Sequence, residues 1–99
     1  MSQLPSDKEF QLLALVAFKE KTGREVAKQF ELDEGKSISY GTLYTTFRRM
    51  KEAGWVASRD DQDEDGRVRY FQITDAGLKA MNTARKRYET MAGFGLQTN

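Results

Sequence analysis

Apolar and polar positions change their rhythm along the chain, and each rhythm predicts an element. Ser6 followed by Glu9 is a capping-box pattern ahead of the apolar run "FQLLALVAF", Phe10 to Phe18, which predicts a first helix from about Asp7 to Lys21. Its apolar residues do not keep to one stripe. Phe10, Leu13, Ala14 and Ala17 share a side, while Leu12, Leu15, Val16 and Phe18 cover most of the rest. A helix apolar nearly all round is buried on two sides. In a chain this short the second side is expected to face another subunit.

Thr22-Gly23 breaks the rhythm, and a second helix is predicted from about Arg24 to Leu32, with Val26, Ala27 and Phe30 inward. The polar loop "DEGKS" follows. Ser39 is the expected N-cap of a third helix that ends at Gly54, a C-cap position. On it Leu43, Phe47 and Met50 form one face, beside Tyr40, Tyr44 and the Lys51 stem. The opposite face carries Gly41, Thr42, Thr45, Arg48, Arg49 and Glu52. After Gly54 the spacing turns strand-like in "WVASR" and "RVRYFQI", with Gly66 and an acidic knot between them, so a hairpin is predicted with the knot at its tip. "ITDAG" opens a last helix, capped by Thr74 or Asp75. There Met81, Ala84, Tyr88 and Met91 recur at spacings of three and four. Docking on its own domain and a seam between subunits both fit that spacing. From Gly93 a loose tail is expected, on which Phe94 and Leu96 could dock.

Helix, helix, helix, hairpin, helix is the order of a winged helix-turn-helix, mainly α with a small β-hairpin. In that geometry the third helix, residues 39–54, is the recognition helix, and its polar face is aimed at a DNA major groove. Ser39, Tyr40, Gly41, Thr42, Tyr44, Thr45, Arg48 and Arg49 are the candidate DNA contacts on it, with Ser37 in the loop before it and Arg67 and Arg69 at the start of the second wing strand. Small residues let the backbone approach, the hydroxyls and arginines reach base edges or phosphates, and the helix N-terminus attracts phosphate. The helical angle of Tyr44 favours a ring at the edge of the core with its hydroxyl at the rim. Trp55 is expected to anchor the first wing strand.

Composition narrows the chemistry. Among 99 residues there is no His and no Cys, which removes Ser-His, Cys-His and zinc-hydrolase arrangements and any disulfide. No signal peptide is legible, and the longest apolar run is too short for a membrane span, so a cytoplasmic chain without membrane association is expected. Charge is segregated. Lys36 to Arg59 holds five basic residues against Glu52, Asp60 to Asp65 holds five carboxylates, and Gly66 onward holds six basic residues against Asp75 and Glu89. Basic segments beside a helix-turn-helix fit nucleic acid. The acidic knot, read from Asp61, spells the front of a calcium loop, D-x-D-x-D-G. Its twelfth position is Gln72 where such a loop needs a bidentate Glu, and its flanks are strand-like. The knot is read as a solvated wing tip that repels the DNA backbone, and no metal or other cofactor is expected.

The stretches "ISYGTLYTTFRRMKEAGWVASR" and "GRVRYFQITDAG" resemble the PadR family of bacterial transcriptional regulators, through Ser39, Gly41, Thr42, Leu43, Tyr44, Arg49, Glu52 and Gly54 in the helix and Gly66, Arg67, Arg69, Tyr70, Thr74 and Gly77 in the wing. The resemblance runs from about Leu12 to Leu78. Arg24 stands where Tyr is usual, Thr45 where Pro is common, and Phe47 and Met50 replace two leucines. The single C-terminal helix is similar to the short branch of the family, in which that helix pairs with the first helix of a second subunit. The resemblance implies a homodimeric repressor of double-stranded DNA, bound to a palindrome-like operator and released by a small hydrophobic effector. Leu12, Leu15, Val16, Met81, Ala84, Tyr88 and Met91 are the candidate dimer interface. The domains expected are a winged helix over 1–74, a dimerisation helix over 75–92 and a tail over 93–99. Two other readings are open: a winged-helix protein-interaction module that no longer reads DNA, and a carboxylate-based metal-dependent enzyme.

Overall fold

A computed structural model describes residues 4–97, with side chains through Ala92. Helix α1 spans Asp7–Leu15, strand β1 Lys21–Thr22, α2 Gly23–Glu34, α3 Tyr40–Glu52, β2 Val56–Asp63, β3 Gly66–Ile73 and α4 Asp75–Gln97. The three strands form one antiparallel sheet in the order β1-β3-β2. The whole is a winged helix-turn-helix followed by a long helix.

Helix starts follow local chemistry. Ser6 and Glu9 close a capping box on α1, and Thr22 and Glu25 close a second one on α2. Ser39 Oγ accepts from Thr42 N at 3.1 Å to cap α3, and Thr74 Oγ1 accepts from Gly77 N at 3.0 Å to cap α4. Each supplies an acceptor to a backbone N–H that the helix cannot satisfy itself. Gly35 and Gly54 take positive φ after α2 and α3, which lets the chain leave the helix at a left-handed residue.

Three expectations are corrected. Helix α1 stops at Leu15, not Lys21, because the next residues have other partners: Val16 O accepts from Ile73 N at 3.1 Å and Leu15 O from Lys21 Nζ at 2.7 Å. The strands run further into the acidic knot than the sequence suggests, leaving only Glu64 and Asp65 as the turn. Helix α4 continues through Gln97, across the span expected as a tail from Gly93; Thr98 and Asn99 lie outside the described residues.

The core gathers Leu12, Leu13, Val16, Val26, Phe30, Leu43, Phe47, Met50, Trp55, Val56 and Phe71. It lies between α1, α2 and α3 and is closed by the wing root. Phe47 stacks on Phe71 with ring centroids 4.3 Å apart. Trp55 is buried and hydrogen-bonded at both ends of its backbone, donating to Met50 O and accepting from Thr74 N, so it anchors the wing. Leu12 and Val16, expected at a subunit interface, have no exposed surface and are core residues of the protomer. The side of α1 that carries them is taken up by packing on α2 and α3 within the same chain.

Candidate nucleic-acid interface

Helix α3 divides sharply. Leu43, Thr46, Phe47 and Met50 are buried, and Thr46 satisfies its hydroxyl by donating to Thr42 O at 2.7 Å. Ser37, Ser39, Tyr40, Gly41, Thr42, Tyr44, Thr45, Arg48 and Arg49 are all exposed. Residues 40–42, 44, 45, 48 and 49 thus lie along the open arc of α3, with Ser39 at its cap and Ser37 in the loop before it, Tyr44 at the flank toward the wing and Arg49 at the flank toward α1. At its start Ser39 and Thr42 share a hydroxyl hydrogen bond of 3.0 Å. Tyr40 stacks on Tyr44 at 6.3 Å, and Tyr44 leans on Phe71 at 6.0 Å. A side chain at Gly23 would collide with the Tyr44 hydroxyl, so this glycine makes room for Tyr44 at the start of α2. The Tyr44 ring thus flanks the core with its hydroxyl at the rim.

The arginines differ in their company. Arg49 lies 3.8 Å from Glu9, the residue that also closes the α1 capping box. Among the described residues Arg48 and Arg67 form no ion pair. Arg69 Nε donates to Asp60 Oδ1 at 3.0 Å. Arg59 pairs with Glu20 and with Asp61, the latter at 2.9 Å, and lies over the Tyr70 ring at 4.4 Å. These arginine hydrogen bonds hold Glu20, Asp60 and Asp61 below the usual carboxylate range and push the Arg59 guanidinium further up. A trough of about 410 Å³ separates the wing from α2 and is lined by Arg24, Tyr44, Asp60, Arg67 and Arg69 among others. Sequence reasoning missed Arg24, whose place beside Tyr44 depends on packing between elements. The Lys51 stem was placed beside the apolar face of the helix; its ammonium donates to Ser58 Oγ on the wing at 2.8 Å.

Among the described residues no group of carboxylates converges as a metal site. Asp60, Asp61 and Asp63 lie along the extended β2, with Glu64 and Asp65 in the turn after it, so the backbone does not wrap into the closed loop that a calcium site needs.

The Transcriptional regulator PadR-like family matches residues 12–83. The chain belongs to this PadR-like family. Solved PadR structures have the same fold. A PadR family transcriptional regulator from Eggerthella lenta DSM 2243 is 25% identical, with a TM-score of 0.78 over 93% of this chain and 83% of that one. A PadR family transcription regulator from Clostridium difficile R20291 is 21% identical, with a TM-score of 0.78 over 91% and 95%. Bacillus subtilis PadR in complex with operator DNA is 18% identical, with a TM-score of 0.69 over 79% of this chain and 47% of that chain. Comparison with curated proteins gives no match. Among the described residues no helix is long and apolar enough to cross a membrane.

Proposed function

We propose that this PadR-like regulator is a sequence-specific repressor that binds a palindrome-like operator in double-stranded DNA as a homodimer. The observation that carries the reading is the two-sided α3: one face sealed in the core, the other a continuous open surface of small, hydroxyl and basic side chains beside the wing. A rigidly seated helix with an open polar face is what major-groove readout requires. Arg48 and Arg49 are assigned to base edges or phosphates. Ser37, Ser39, Tyr40, Gly41, Thr42, Tyr44 and Thr45 are assigned to the approach of the helix N-terminus. Arg67 and Arg69 are assigned to the backbone. The operator complex of Bacillus subtilis PadR, which shares the fold, supports a DNA partner.

Dimerisation is assigned to α4. Every side chain from Arg85 to Ala92 is exposed, and Ala84, Tyr88 and Met91 line an apolar groove of about 310 Å³ with Leu4 and Pro5. Leu15 and Met81 are partly open and pack against the core cluster. A small hydrophobic effector would bind where such surfaces of two subunits meet.

Selection of the purified protein against a random duplex library at near-physiological salt tests this function. The expected result is an enriched inverted repeat with half-sites about one helical turn apart. Recovery of no sequence, with weak binding that vanishes as salt rises, would mean either a missing effector or a winged helix that no longer reads DNA, and would put the interaction-module reading first.

A further inference from the structure

The wing carries two separate ionic sets, one on each face of its sheet. Pairing places Ser58 opposite Phe71, Asp60 opposite Arg69 and Gln62 opposite Arg67. Paired residues share a sheet face, and because Phe71 stacks on Phe47 this face looks toward the recognition helix. The opposite face holds Arg59, Asp61 and Tyr70, tied to Glu20. On the recognition side Arg69 donates to Asp60 at 3.0 Å. Arg67 and Lys51 act on the same carboxylate through space and help hold its pKa down. Lys51 is kept on this face by its 2.8 Å bond to Ser58. One carboxylate therefore sits among three cations, and all four residues are exposed. The nearby Asp63 is engaged elsewhere, accepting from Asp65 N at 2.8 Å to close the turn.

A carboxylate and a phosphodiester offer guanidinium and ammonium groups the same ligand, anionic oxygens that accept charge-assisted hydrogen bonds. We infer that Lys51, Arg67 and Arg69 form a seat for a DNA backbone phosphate that Asp60 fills in the free protein, and that this internal competition keeps binding to non-operator DNA weak. The inference rests on the DNA-binding reading above. Any duplex has to displace Asp60 to use the seat. The cost is the same for every duplex, so a site whose bases also satisfy α3 still binds, while a duplex held by backbone contacts alone is left weak.

The test compares wild type, Asp60→Asn and Asp61→Asn on a short duplex of scrambled sequence, by fluorescence anisotropy over a salt series. Both substitutions remove one negative charge from neighbouring exposed positions, but on opposite faces of the sheet. Asp60→Asn is expected to bind several-fold tighter, with a slope of log K against log salt steeper by roughly 0.9, the value of one additional phosphate. Asp61→Asn is expected to stay near wild type. Adding Arg69→Gln to Asp60→Asn is expected to cancel the gain. Equal tightening in both single variants, or tightening in neither, overturns the inference while the wild type's own binding keeps the DNA reading standing. Failure of all proteins to bind duplex even at low salt overturns both.

Discussion

Gly77 illustrates how much one missing Cβ decides. A Cβ there would collide with the Trp55 carbonyl oxygen and stand 2.9 Å from Ile73 Cγ1. That carbonyl already accepts from Thr74 N, so the clash is with backbone that cannot turn aside. Gly77→Ala is expected to lower stability by about 1–3 kcal/mol, as overpacking does, read from the midpoint of urea unfolding. Gly23→Ala is the contrast. The atom it meets is the Tyr44 hydroxyl, the far end of a partly exposed side chain, so its loss should be clearly smaller. Equal losses would refute this account. The sequence marks both glycines as breaks or helix-opening residues. It does not say which one is pressed against backbone, since that depends on where α4 crosses the wing root.

At the scale of elements, the aromatic stack between α3 and β3 fixes the angle of the wing against the recognition helix. Phe47 is 1% exposed and lies almost parallel to Phe71, at 11°. Phe47→Ala should cost about 3–5 kcal/mol, and thermal unfolding followed by circular dichroism checks it. A loss under about 1 kcal/mol would mean the stack is not what seats the wing. Helix α3 was legible because its apolar residues recur at helical spacing and Ser39 marks its start. Strand β1 was not. Two residues, Lys21 and Thr22, carry no period, and their strand state comes from pairing with Phe71 and Tyr70. The end of α1 was misplaced for a related reason. Val16, Ala17 and Phe18 continue the apolar run, yet the wing and Lys21 claim the carbonyls that further turns would have used. On the wing, the arginines were legible as candidates. Their partners were not, because one residue of register decides whether Asp60 or Asp61 faces Arg69.

At the scale of the molecule, the chain is elongated, 56 × 31 × 22 Å, with a radius of gyration of 15.1 Å where a compact chain of this length has about 13 Å. Between α4 and α1, Tyr88 meets Phe10 edge-on at 6.4 Å and donates to Asp7, one turn beyond the buried Ala84. Met91 beyond it is 66% exposed. Met91→Glu should therefore leave the monomer fold intact and weaken self-association at least about tenfold, roughly 1.4 kcal/mol, by sedimentation. An unchanged association constant would move the interface away from this end of α4. The strand pairing has a consequence for synthesis. Lys21 and Thr22 leave the ribosome long before Phe71 and Tyr70, their partners across half the chain. Until the second wing strand emerges, the Val16 carbonyl and the Phe47 ring lack the groups that cover them. The three helices must then wait, with apolar surface open to chaperones, for the wing to complete the fold.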